Sequence, residues 1–275
     1  MKKPPFSIWS QFYNTKEPED AILQFEIDGI THIELSSEHS ISLLERDGAP
    51  YEIGRRFAEF CEQRGITVGQ AHMIFPSNIV TDPDICAILV RQSELLDGMG
   101  VSYGVLHGDP MTGCDIPYSE KLERNIEALK RLVSLTAHTK IKFCLENLKG
   151  IFDGIDDILY AIERVGSDKL CVCLDTGHLN ITKTSTQREF ILKAGKLLKA
   201  LHIADNEGVE DQHIIPYGRG NVDFIEVARA LNEVEYSGIF NYEIGGDSGK
   251  CPIPVKHVKY LTVRATYDYI FENSK

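Results

Sequence analysis

Eight times along this chain a short apolar run is followed by a longer segment with apolar residues at helical spacing, and this alternation most constrains the fold. The runs are residues 6–9, 32–35, 66–73, 102–106, 141–145, 170–174, 200–204 and 238–244. The helical segments are 17–27, 51–64, 83–99, 119–137, 156–165, 186–198, 223–234 and 255–271. Strands of this apolar character, joined by crossover helices, run parallel and are covered on both faces. Eight such units in 275 residues match one α/β domain, a (β/α)8 TIM barrel over residues 1–275. An open doubly wound sheet fits less well. No Gly-x-Gly-x-x-Gly follows the first run, and polar residues follow most strands instead of one switch point. No linker or low-complexity tract divides the chain.

Residues 170–180 show what the strands deliver. Five apolar or sulfur-bearing residues lead directly to Asp175 and His178, groups that are uncomfortable when buried without partners. The other strands repeat the pattern. Taken by strand end, the chain supplies Glu34, His72, His107, Glu146, Asp175 with His178, His202, the loop pair Asp211 and His213, and Glu243. In a parallel barrel all these ends converge on one face. Each residue alone has a plainer reading: a strand-end Glu caps a helix or sits in solvent, and Asp175 with His178 could cap the helix that follows. Several independent strands placing such groups at the same end argue for a site. Carboxylates mixed with imidazoles suit a borderline divalent ion, with Mn or Zn first and Co or Mg behind them. His32, His39, His138 and His257 do not stand at strand ends and are read as surface or satisfied core residues.

The bulk composition narrows the class. With 43% hydrophobic and 25% charged residues the chain reads as soluble and globular, without a run of roughly 18 apolar residues that would cross a membrane. No signal-peptide core follows the first residues, so the expected location is the cytoplasm. Seven cysteines without a Cys-x-x-Cys pair, three of them in strand-like runs (Cys144, Cys171 and Cys173), read as reduced and buried.

Several motifs match a known family. Leu145-Glu146-Asn147, Asp175-Thr176-Gly177-His178, Leu201-His202-Ile203-Ala204-Asp205, Asp211-Gln212-His213-x-x-Pro-x-Gly-x-Gly-x-x-Asp223-Phe224 and Tyr242-Glu243 resemble the xylose-isomerase-like superfamily. That superfamily holds sugar and sugar-phosphate isomerases and epimerases as well as apurinic-site endonucleases. The likeness runs from about His72 to Glu243. Resemblance to the ketose epimerase branch implies a single metal held by Glu146, Asp175, His202 and Glu243. It also implies that Glu146 and Glu243 exchange protons with the substrate through an enediolate, and that His178 contacts a substrate oxygen. His72, His107, Glu34 and Arg219 complete the expected substrate contacts. Resemblance to the zinc endonuclease branch implies instead a three-metal cluster. Its nine ligands match His72, His107, Glu146, Asp175, His178, His202, Asp211, His213 and Glu243 in order.

Charge separates the two branches. The formal net charge of −12 opposes binding to a phosphate polymer. The loops after the strands are neutral to acidic: Ser36-Ser37-Glu38-His39, Gly108-Asp109-Pro110, residues 205–211 and Gly246-Asp247. Only Arg219, Lys149 and Lys183 offer cations near the motifs, enough for a sugar phosphate or carboxylate but not for a duplex. Arg219 stands where an acidic residue is common in the sugar-acting relatives, which hints at an anionic substrate. The expected partner is therefore a small sugar or sugar phosphate, with no nucleic acid and no membrane; the reading is compatible with a homo-oligomer. A barrel that has lost its chemistry and serves as a binding module is the third reading, and the intact ligand set speaks against it.

Overall fold

In a computed structural model that describes residues 3–245 and 250–275, eight parallel strands form one sheet in the order β7-β6-β5-β4-β3-β2-β1-β8. The elements are β1 (Phe6–Trp9), α1 (Pro18–Asp28), β2 (His32–Leu35), α2 (Ser37–Leu44), α3 (Pro50–Glu62), β3 (Thr67–His72), α4 (Ile85–Gly98), β4 (Tyr103–Leu106), α5 (Tyr118–Leu135), β5 (Lys142–Glu146), α6 (Ile155–Val165), β6 (Leu170–Asp175), α7 (Thr176–Thr182), α8 (Gln187–Ala194), β7 (Leu198–His202), α9 (Phe224–Glu233), β8 (Phe240–Tyr242) and α10 (Ile253–Asn273). The sheet closes on itself. Ile203 N–H donates to Asn241 O at 2.8 Å and Glu243 N–H to Ile203 O at 3.2 Å, which joins the end of β7 to β8. This is the (β/α)8 barrel that the alternation demanded. Gly246 and Asp247, counted above among the acidic loops, lie outside the described residues.

Two layers of core follow from the alternation of side chains along each strand. Outward-facing residues such as Leu145, Val172, Leu174 and Leu201 pack in a shell with helix residues such as Ile126, Leu129, Ile158 and Phe190, all buried. Inside the barrel lie Val105, Cys144, Cys171, Cys173 and Ala200. All seven cysteines are free; the three in strand-like runs, Cys144, Cys171 and Cys173, are buried as expected, whereas Cys114 and Cys251 are only half-buried because they lie in loops. The inward face of β6 reads Cys171, Cys173, Asp175, so the strand that fills the barrel also delivers a carboxylate to its top. Register then aligns the neighbours. Cys144 pairs with Cys171, Glu146 with Cys173, and Asp175 with His202.

Three local readings change. The polar stretch 36–39, read as a loop, begins α2: Ser36 caps it by accepting from His39 N–H at 3.1 Å. The helix expected over 186–198 is α8, which ends at Ala194 with Gly195 at φ +52°, and β7 starts at Leu198. The last strand is shorter than residues 238–244. Among the described residues no helix is long and apolar enough to cross a membrane.

Candidate active site

The strand ends converge as expected. One ligand atom from each of Glu146, Asp175, His202 and Glu243 lies within 4.8 Å of the others. His202 Nδ1 is 3.3 Å from Glu146 Oε1 and 3.1 Å from Glu243 Oε2, yet it makes no hydrogen bond. Asp175 is fully buried. Its Oδ1 caps α7 by accepting from His178 N–H at 2.6 Å, while its Oδ2 has no partner. The capping reading holds for Oδ1, and Oδ2 is left free for a ligand. Asn147 fixes this strand end by accepting from Asp175 N–H at 2.9 Å and donating to Asp175 O at 3.0 Å.

Around this centre stand further imidazoles. His107 Nε2 is 2.7 Å from Glu146 Oε2, and His178 Nδ1 is 3.1 Å from Glu146 Oε1. The His72 ring lies nearly parallel to that of His202, with centroids 5.6 Å apart. A second trio, His178, Asp211 and His213, is held by contacts of 3.2 and 3.1 Å from the two Nε2 atoms to Asp211 Oδ2. The nine residues named for a three-metal cluster are thus gathered at one face, as are the four named for a single metal.

The electrostatics follow from burial and these neighbours. Burial works to raise the Glu146 carboxyl, but the His202 and His107 imidazoles hold it well below the usual carboxylate range. Glu243, likewise opposed by burial, is drawn by His202 down to about 2. Asp175 is pushed by burial up to about 6. His72 is lowered by burial. His213 is raised to about 10, with Asp211 outweighing burial. The site thus offers two firmly ionised carboxylates and one strained by desolvation.

The donor set fits a divalent cation. Mixed carboxylate oxygens and an imidazole nitrogen within 4.8 Å of one another, with Asp175 Oδ2 and His202 Nδ1 buried without partners, are what such an ion requires. Above the centre opens a cleft of about 210 Å³, lined by the apolar Trp9, Phe75 and Leu148 and by polar residues including His72, His107, His178, Glu146, Asp211 and Glu243. The three apolar residues escaped the sequence reading because apolar residues beside strand ends look like core. Phe75 is 53% exposed and sets its ring edge-on to His107 at 5.0 Å, so it belongs to the cleft wall.

Two expected substrate contacts lie elsewhere. Glu34 is fully buried beneath His202, bonded to its Nε2 at 2.8 Å, and does not line the cleft. Arg219 lies in a neighbouring depression of about 330 Å³ that, among the described residues, shares only His213 with the cleft, and its Nε is 3.6 Å from Glu207 Oε2. The four histidines set aside lie outside the cluster: buried His39 bonds to Ser10 Oγ at 2.8 Å, and exposed His138 to Glu94 at 3.1 Å. His32 bonds to Thr31, and His257 to buried Asp28.

The profile of the xylose isomerase-like TIM barrel family matches residues 26–261. The chain belongs to that family. A segment of 169 residues is 27% identical to a protein named probable endonuclease 4 of Mycoplasmopsis agalactiae, covering 58% of this chain and 59% of that one. A segment of 88 residues is 30% identical to D-psicose 3-epimerase of Enterocloster bolteae, covering 32% and 27%. The chain spans about half the length of the curated relatives it matches first. A crystal structure of a D-psicose 3-epimerase in the presence of D-fructose superposes with a TM-score of 0.78 over 97% of this chain and 99% of that one, at 18% identity. That likeness is one of fold.

Proposed function

We propose that this xylose isomerase-like barrel is a divalent-metal-dependent epimerase or isomerase of a small ketose-type sugar, acting by proton transfer at a carbon beside a carbonyl. One observation carries the reading. Glu146 and Glu243, both held ionised, meet at His202 Nδ1, 3.3 and 3.1 Å away, on the floor of a cleft of about 210 Å³. That volume is below the roughly 300–1,000 Å³ of sites for drug-sized ligands, so it suits a small molecule.

Glu146, Asp175, His202 and Glu243 would hold the metal. Bound there, the ion would draw charge from a carbonyl and its neighbouring hydroxyl and so acidify the hydrogen between them. The Glu243 carboxylate then removes that proton, and Glu146, protonated in turn by the His178 imidazolium 3.1 Å away, gives one to the other face of the carbon, with an enediolate-type intermediate between the two transfers. His178, fixed by the first turn of α7, presents its ring to a substrate oxygen. Phe75, Trp9 and Leu148 cover the apolar edge of the sugar and shed water from the reacting carbon. The likeness to D-psicose 3-epimerases supports the substrate class.

Protein stripped with a chelator and reloaded with Mn²⁺, Co²⁺ or Zn²⁺ should convert at least one ketopentose or ketohexose into its epimer or aldose. Failure on all of them, with metal bound, would reject the reading.

The second reading is a zinc-dependent apurinic-site endonuclease, favoured by the trio His178, Asp211 and His213 beside the central four and by the match to probable endonuclease 4. The small cleft speaks against it, as do its acidic lining residue Glu38 and the pairing of Arg219 with Glu207. Close to three zincs per chain, with cleavage of DNA at an abasic site, would establish it instead.

A further inference from the structure

Beneath the candidate metal centre runs a chain of fully buried polar side chains that the proposed reaction does not use. Ser7 Oγ donates to Asn241 Oδ1 at 2.9 Å, Asn241 Nδ2 donates to Glu34 Oε2, and Glu34 Oε1 lies 2.8 Å from His202 Nε2. The four residues come from β1, β8, β2 and β7, so the chain crosses the barrel interior. A carboxylate at such depth is costly unless both oxygens are satisfied, and here each has one donor.

We infer that Glu34 is a positioning residue: by accepting from His202 Nε2–H it fixes the tautomer and leaves Nδ1 as the atom that binds metal. The inference rests on the metal site of the proposed function. Two independent features agree with it. The Ser7 hydroxyl sets the Asn241 amide so that its NH2 faces Glu34, which leaves the other carboxylate oxygen to accept from His202. The ring nitrogen without a partner is Nδ1, the one directed at Glu146 and Glu243. A ligating histidine whose other nitrogen is held by a carboxylate binds metal more tightly and in one orientation.

The amide variant reverses this logic by one atom. In Glu34→Gln the new NH2 cannot face the Asn241 NH2, so it turns to His202 Nε2, which must then accept, and the ring proton moves to Nδ1 within the ligand cluster. Adding Asn241→Asp restores the pattern. The carboxylate introduced at position 241 accepts from both Ser7 and the amide NH2 at position 34, and the amide carbonyl at position 34 again faces His202 Nε2–H.

Titration calorimetry of Mn²⁺ into the chelator-stripped full chain tests this without any sugar. E34Q should bind roughly 10–100-fold more weakly than the wild type, and E34Q/N241D should recover most of the loss. Unchanged affinity in E34Q, or a double variant no better than E34Q, would overturn the role of Glu34 while leaving the metal site standing. No Mn²⁺ uptake by the wild type would defeat the metal site and this inference together. If E34Q does not fold, long-range ¹⁵N imidazole spectra of the Zn²⁺-loaded wild type decide. A His202 signal with Nε2 protonated and Nδ1 coordinated is expected, and the opposite tautomer would overturn it.

Discussion

His178 Nδ1 lies 3.1 Å from Glu146 Oε1, so the first turn of α7 is in contact with the end of β5. Because Asp175 Oδ1 caps that same turn, three consecutive features of one motif, a strand end, a cap and an imidazole, are locked to a carboxylate from the neighbouring strand. The Glu146 carboxylate is thus oriented from several sides, which is the arrangement that the proposed proton transfer at carbon needs.

The two carboxylates should separate in their effects. Glu243→Gln keeps the fold and lowers turnover by about 10²–10⁴-fold, because the carboxylate that takes the proton, held low by His202, is lost. Glu146→Gln loses metal as well as activity, since Glu146 contacts His107, His178 and His202 at once. Metal analysis beside steady-state assays checks both. Full turnover by Glu243→Gln would remove the two-carboxylate mechanism, and wild-type metal affinity in Glu146→Gln would remove Glu146 from the ligand set.

Asp175 should trade stability for binding. Its carboxyl is raised by burial from 3.8 to about 6. A carboxyl raised on folding destabilises the folded state only once ionised, so the penalty is absent below pH 3.8 and grows until about pH 6. In chelator-treated protein Asp175→Asn should therefore be the more stable form above pH 6, by on the order of 2–3 kcal/mol. The variant should also lose the decline in stability between pH 4 and 6. Asn can still cap α7, so thermal melts across that range read the charge and not the helix. Equal pH profiles would contradict the assignment.

Much of this site could be read before the structure because parallel strands leave little freedom. Asp175, Glu146 and His202 sit at strand ends with the side-chain parity that faces the barrel interior, and register alone brings them level. Depth was harder to read. Glu34 also ends a strand and shares the parity, but it sits below His202 and not beside it, and strand tilt, which fixes that depth, leaves no local mark on the sequence. Loop paths were harder again. Arg219 follows a motif glycine yet turns toward Glu207, and Phe75 and Leu148 reach the cleft from loops whose apolar residues resemble any others. Helix α2 was missed because its Ser-Ser-Glu-His start has the composition of a turn as well as of a cap.

The Gly-x-Gly loop is governed by close approach. A Cβ on Gly220 would lie 2.1 Å from Asp205 Cγ, and Asp205 in turn holds the loop by accepting from Asn206 N–H and Val222 N–H at 2.9 and 3.1 Å. Gly220→Ala should destabilise the chain by about 1–3 kcal/mol and disturb the segment that carries Asp211 and His213. A lowered melting temperature with weaker metal binding is expected, and an unchanged melt would show that the loop can yield.

Thiol reactivity should follow burial. Cys61 is pushed by burial up to about 12, and Cys144 and Cys173 are raised well above the ordinary thiol value by the same cause. Cys114 and Cys251 are only half-buried. A chromogenic disulfide reagent at pH 8 should titrate those two quickly, and all seven only after denaturation. Rapid modification of Cys61 in the folded chain would show that its helix opens.

The most direct test of the account is deuterium incorporation. Mn²⁺-loaded protein incubated in D2O with a panel of ketopentoses and ketohexoses should place solvent deuterium on a carbon next to the carbonyl of at least one sugar. Glu243→Gln should not. If the metal-loaded wild type leaves every sugar free of carbon-bound deuterium, proton transfer at a sugar carbon is not what this barrel does.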